Sequence, residues 1–185
     1  MSGVVAIGAG DGSTDTPRIW VGDLAAYDAG NLHWCWIDAT QEPEEIQAEI
    51  DKMLASSPEP GAEEWAIFDQ EGWGGLELSE HEDIETVSRV AKLLAEHGSL
   101  FPALVAHFGG TQYLDDAEQA MTEGYQGTFR NLADWAENYA EDTGMDCAEP
   151  WRNYIDFERW ANDAEMGGDI FTIETPDGVA VFSSH

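Results

Sequence analysis

Positive charge is almost missing from this chain. Its 185 residues hold seven Lys and Arg against 38 Asp and Glu, a formal net charge of −31. No basic residue lies from Ile19 to Asp51, from Met53 to Ser88, or from Leu93 to Phe129. Nucleic-acid binding relies on clustered Lys and Arg that displace phosphate counterions. The composition therefore argues against direct binding to DNA, RNA or an anionic membrane, and a basic partner is its natural complement.

Cysteine is scarce as well. Cys35 and Cys147 are the only two, too few for a disulfide framework or a Cys-based zinc site. Two reduced thiols are expected, with one long-range disulfide as the other option. The N-terminus has no basic segment, and its apolar run spans only Val4 to Ile7, unlike a signal peptide. No stretch approaches the roughly 18 apolar residues of a membrane span. A soluble, cytoplasmic protein is expected.

Apolar and aromatic residues are not scarce. The chain is 43% hydrophobic, with 8 Trp, 5 Tyr and 7 Phe. Disordered acidic tails lack such residues, so this chain can bury a core beneath an anionic surface. Self-repulsion of that charge opposes compaction, which suggests that the negative field is itself the function. Adaptation to high salt also predicts many acids and few lysines, and it stays open as a second reading.

Residues 1–17 are rich in Gly, Ser, Thr, Ala and Asp and read as a mobile tail. Their Val4-to-Gly12 run superficially resembles a dinucleotide-binding fingerprint, but no helix pattern follows to hold a pyrophosphate. Residues 18–78 read as a small antiparallel sheet plus one helix. Strands are expected at Arg18 to Leu24, Leu32 to Ile37 and Glu64 to Asp69. Pro43 suits a first helical turn, and Ile46, Ile50, Met53 and Leu54 then recur on one face. The composition shifts near Ser79, and residues 79–123 read as a helical module. Ser79 and Glu82 have capping-box spacing before Ile84, Val87, Ala91 and Leu94, with Gly98 as the stop. Further helices are expected from Leu100 to Phe108 and from Leu114 to Thr122. Residues 124–185 form the last module. Asn131 caps a helix with Leu132, Trp135 and Tyr139 inward. A short helix runs through Ala164, and a terminal hairpin turns at Pro176-Asp177-Gly178. The fold class is α+β, with small modules in series.

Catalytic patterns are absent. His81-Glu82-Asp83-Ile84-Glu85 lacks the second histidine of the zinc-protease motif, and His33, His81, His97, His107 and His185 share no ligand spacing. No calcium loop, nucleophile elbow or phosphate loop occurs. Neither Lys52 nor Lys92 has an acid two residues before it, as a metal-dependent nuclease would typically have. A two-carboxylate hydrolase would need a pocket that raises one pKa, and sequence cannot show one. No enzyme activity, cofactor or metal is expected.

The acidic helix faces remain. Duplex DNA carries about one negative charge per 1.7 Å of axis, so 31 net charges correspond to about 53 Å of duplex. A globule of this length is roughly 40 Å across, too short for that array, whereas modules in a row or a two-fold dimer could carry it. Acids three or four residues apart on a helix stand about 5–6 Å apart, comparable to successive phosphates. Candidate phosphate mimics are Glu44, Glu45, Glu49 and Asp51; Glu80, Glu82, Asp83 and Glu85; Asp115, Asp116 and Glu118; and Asp134, Glu137, Glu141 and Asp142.

Five collinear blocks resemble the ArdA family of antirestriction proteins. They are Arg18-Ile-Trp-Val-Gly-Asp-Leu-Ala-Ala-Tyr-Asp-Ala-Gly, Leu32-His-Trp-Cys-Trp-Ile-Asp, Glu64-Trp-Ala-Ile-Phe-Asp-Gln-Glu-Gly, Arg130 to Gly144, and Asn153 to Asp163. The resemblance covers residues 18–185. It implies an elongated, three-module α+β dimer whose carboxylates imitate the phosphates of bent B-form DNA. It further implies occupation of the DNA-binding cleft of type I restriction-modification enzymes, at their methyltransferase core. Mobile elements carry such proteins to protect incoming unmodified DNA. Arg130 to Gly144 corresponds to the family's antirestriction motif. The family's C-terminal dimer contact makes Tyr125, Phe129 and Trp135 candidate interface aromatics, with core packing as the other reading of each.

Overall fold

A computed structural model describes residues 16–145 and 151–184. The chain divides into two compact units, one ending at Gln112 and the other beginning at Tyr113. Each is an antiparallel three-stranded sheet with helices, so the class is α+β. The mobile tail expected at 1–17 lies outside the described residues except for Thr16 and Pro17, and so does Cys147.

In the first unit, β1 (Arg18–Asp23) sits between β2 (Trp34–Asp38) and β3 (Trp65–Glu71). Strand β1 ends one residue earlier than expected because Asp23 caps a short helix, α1 (Leu24–Asp28). The Asp23 carboxylate accepts from the Ala25 and Ala26 N–H groups and from the Ser57 hydroxyl. Those partners explain how a carboxylate can be buried there. Helix α2 (Pro43–Ala55) has its proline in the first turn and buries Ile46, Ile50 and Met53. Ile19, Val21, Ile37 and Ile67 from the sheet are buried with them. Trp73, almost fully buried, anchors the chain after β3 by donating its indole N–H to the Arg18 carbonyl at 2.9 Å.

The next helix differs from expectation. It runs as α3 (Ile84–His97) and is capped by Asp83, not Ser79. The Asp83 carboxylate accepts from the Thr86 N–H at 3.0 Å and also from the Thr86 hydroxyl. Ser79 and Glu82 do meet, with the Ser79 N–H 3.3 Å from the Glu82 carboxylate, but they close a turn ahead of the helix. Val87, Val90, Ala91 and Leu94 form the buried stripe of α3, and Gly98 ends it at φ 64°. Helix α4 (Leu100–Phe108) then buries Phe101, Leu104 and Val105.

The second unit opens with α5 (Leu114–Gln119), which widens into a π-helical turn over Ala120–Gly124 where a regular helix to Thr122 was expected. Strand β4 (Tyr125–Phe129), helix α6 (Leu132–Asp142) and helix α7 (Phe157–Gly167) follow. The hairpin of β5 (Ile170–Thr175) and β6 (Gly178–Ser183) is present, and β6 is the central strand between β4 and β5. The core joins Trp135 and Ala136 of α6, Ala161 of α7, and Ile170 and Val181 of the sheet. Asn131 caps α6 as expected, with the Asp134 N–H 2.9 Å from its side-chain oxygen.

Candidate functional site

The amphipathic pattern of α2 turns its acids outward: Glu44, Glu45, Glu49 and Asp51 are all exposed. Local bonds orient three of them. Glu45 closes a capping box with Glu42, Glu49 accepts from the Gln41 amide at 3.0 Å, and Asp51 accepts from the Gln47 amide at 2.8 Å.

The first turn of α3 faces the same space. Glu44 and Asp51 join Asp83 and Glu85 around one open groove of about 600 Å³, in company with Pro43, Ala48, Trp65 and Ile84. Four of the acids expected to imitate phosphates are thus gathered at one place by two helices of the first unit. Glu80 is exposed on the adjoining turn, while Glu82 is half-buried and also accepts from the Thr111 hydroxyl at 3.2 Å. Asp83 has a second task. The Thr86 hydroxyl and N–H, aided by the Glu85 N–H, hold its carboxyl below the usual range against the opposing effect of burial.

In the second unit, Asp115 and Asp116 are exposed on α5 and Glu118 is half-buried. Glu137, Glu141 and Asp142 are exposed on α6, whereas Asp134 is half-buried. Arg130, one turn earlier, lies 2.6 Å from its carboxylate and partly covers it.

The scarce cations show a common arrangement. Arg18 donates to Glu71 at 2.9 Å and lies over the Trp36 ring, Lys92 meets Glu42 at 2.8 Å, and Arg159 meets Asp163 at 4.0 Å. Exposed pairs of this kind add little stability. Their larger effect is on the field, since each of Arg18, Lys92, Arg130 and Arg159 sits against a carboxylate of its own chain.

Trp135 is 3% exposed and donates its indole N–H to the Gln126 amide oxygen at 2.7 Å. Its ring packs with Tyr139 and Trp160, so it is a core residue of its unit. Phe129 packs against the same core, whereas Tyr125 is exposed, with its ring on Phe182 and its hydroxyl 2.9 Å from that of Thr128. Tyr139, expected inward, is also partly exposed at the edge of the cluster.

Helix periodicity missed acids on strands and turns. Glu64, Asp69, Glu77, Glu174 and Asp177 are exposed too. Their signal is position, since none of them lies on a helix and helical spacing does not apply.

Among the described residues, no group of three or more His, Cys, Asp or Glu is placed to hold a metal ion. None of their helices is long and apolar enough to cross a membrane. Burial, reinforced by Glu49 and opposed by Lys52, pushes the Cys35 thiol up to about 11, so it is protonated and poorly nucleophilic at neutral pH.

The family model described as antirestriction protein (ArdA) matches residues 19–178. No curated protein matches the chain.

Proposed function

The chain belongs to the ArdA antirestriction family, and from that membership we propose that it is a non-catalytic mimic of B-form DNA. In this reading it occupies the DNA-binding cleft of a type I restriction-modification enzyme, at the methyltransferase core, in competition with DNA. It works in the host cytoplasm as a two-fold dimer, with Tyr125 as the exposed candidate at the contact between copies.

The observation that carries the reading is the α2–α3 groove. Glu44, Asp51, Asp83 and Glu85 converge there on a chain of net charge −31 whose cations Arg18, Lys92, Arg130 and Arg159 are matched locally. Such a surface presents closely spaced anions to a cleft built to receive phosphates. Association is steered at long range by the opposite fields, and it weakens as salt screens them. Many weak contacts share the interaction, so no single carboxylate is indispensable.

A competition assay tests this directly. A type I methyltransferase core is held on a labelled duplex containing its recognition site, and the protein is titrated in. Displacement at near-stoichiometric protein, weakened by added salt, is the expected result. Failure of the folded protein to displace the duplex would remove this enzyme as the target and leave two other readings, a different DNA-binding enzyme or salt adaptation.

A further inference from the structure

The outer face of the first sheet carries apolar surface for which charge mimicry has no use. Directly opposed residues of antiparallel strands project to the same side. Trp20 opposes Trp36 and Gly22 opposes Trp34, so these residues share that face. Trp20 stacks on Trp36 at 6.0 Å and meets Trp34 edge-on at 4.8 Å. Beyond the indoles lies a pocket of about 110 Å³ bounded by Trp20, Gly22, Tyr27, Leu32, Trp34 and Phe68.

This pocket is open and its rim is greasy. Leu32 is 70% exposed and Tyr27 57%, and Phe68 is exposed as well. Phe68 can lie over the strand because residue 22 has no side chain: a Cβ there would stand 2.6 Å from its ring. The volume is well below the roughly 300 Å³ at which small-molecule pockets begin. It suits one aliphatic side chain.

Charge decides what kind of molecule brings that side chain. Asn31, at the pocket edge, is bonded to the Glu59 carboxylate at 2.9 Å, and Asp69 stands opposite Trp20 in the β1–β3 register. A second copy of this chain brings the same acids to the rim, so it is complemented by the pocket alone. A basic surface is complemented twice, by the pocket and by its rim.

We propose that this pocket seats one apolar side chain of Leu, Ile or Met size, projecting from the basic surface of the enzyme that the chain inhibits. The proposal rests on the reading that the partner is a cationic DNA-binding enzyme, and it adds an uncharged anchor to that contact. Salt screens the carboxylate contacts but not the anchor, so the anchor sets the affinity that persists as ionic strength rises.

The test is direct binding of the labelled full-length protein to a type I methyltransferase core at about 0.1 and 0.4 M potassium chloride. Leu32 lies outside every helix and strand, and Tyr27 is exposed at the pocket rim with its ring against Phe68, so neither belongs to the buried core. Leu32→Ser and Tyr27→Ser are each expected to weaken binding by about tenfold at both salt concentrations, as loss of an apolar anchor does. Leu32→Met is expected to retain it. If the unaltered protein binds and both serine variants bind equally well, the anchor is overturned and the electrostatic reading stands. If the unaltered protein does not bind, the functional reading fails and takes the anchor's named partner with it. If Leu32→Ser alters the sedimentation of the free protein but not its grip on the enzyme, the pocket joins copies of this chain and the proposal is overturned.

Discussion

The Arg130 guanidinium lies 2.6 Å from the Asp134 carboxylate, one turn apart at the start of α6. This pair sits within the block that resembles the family's antirestriction motif, yet it offsets one of the motif's own anions. Arg130→Gln releases Asp134 and makes the chain more negative. The change is expected to leave folding intact and inhibition equal or stronger, read as the concentration that displaces half of a bound duplex. Asp134→Asn is expected to change that value by less than about twofold, since the pair is exposed and worth little by itself.

The groove between α2 and α3 calls for a patch experiment. Single Glu44→Gln, Asp51→Asn or Glu85→Gln substitutions are expected to raise the half-displacement concentration by no more than about threefold. The triple variant is expected to raise it more than about tenfold, because each lost charge weakens steering and contact together. One substitution that alone abolishes displacement would sink the distributed picture.

Asp83 links the same groove to stability. Asp83→Ala removes the side-chain cap of α3 and is expected to cost about 1 kcal/mol in urea unfolding at neutral pH. The carboxyl is held below its ordinary value in the folded state, so its protonation weakens the fold. The contribution is complete above about pH 4 and is lost as pH falls through the depressed folded-state value. The stability gap between the two proteins is therefore expected to narrow below pH 4, a trend measurable by unfolding at successive pH values.

Gly178 is the tightest point of the second sheet. Its φ is +136°, and a Cβ there would stand 2.1 Å from the Phe129 carbonyl oxygen. Gly178→Ala forces β4 away from β6 or strains the turn, at an expected cost of about 1–3 kcal/mol. The readout is a lowered unfolding midpoint with the first unit's tryptophan environment retained.

Much of this fold is legible along the chain. Pro43 followed by Ile46, Ile50 and Met53 defines α2 from local pattern alone, and the Pro176-Asp177-Gly178 turn does the same for the final hairpin. The start of α3 is not legible in that way, because Ser79 and Asp83 both offer a cap. The choice depends on which register buries Val87, Val90 and Leu94, and burial is a tertiary matter. The candidate acids show the same division. Helical spacing points to Glu44 and Asp51 on one side and to Glu85 on the other, but nothing local says that the two groups border one groove. The aromatic face is harder still. Alternation in β1 and β2 separates Trp20, Trp34 and Trp36 from Ile19 and Ile37 without saying which side is covered. The irregularity between Trp20 and Val21 in the β1–β3 pairing further masks where Phe68 lies.

The local matching of cations has a consequence for assembly. With Arg18, Lys92, Arg130 and Arg159 engaged inside their own chain, few positive charges are left to bridge one copy to another. In the proposed dimer, pairing of two copies then rests mainly on shape and apolar contact, against mutual repulsion. Added salt relieves that repulsion and favours the pair, while it loosens the hold on a cationic enzyme. On the proposed reading, self-association and inhibition respond to ionic strength with opposite signs, and a paired inhibitor works best within a band of salt concentration bounded on both sides.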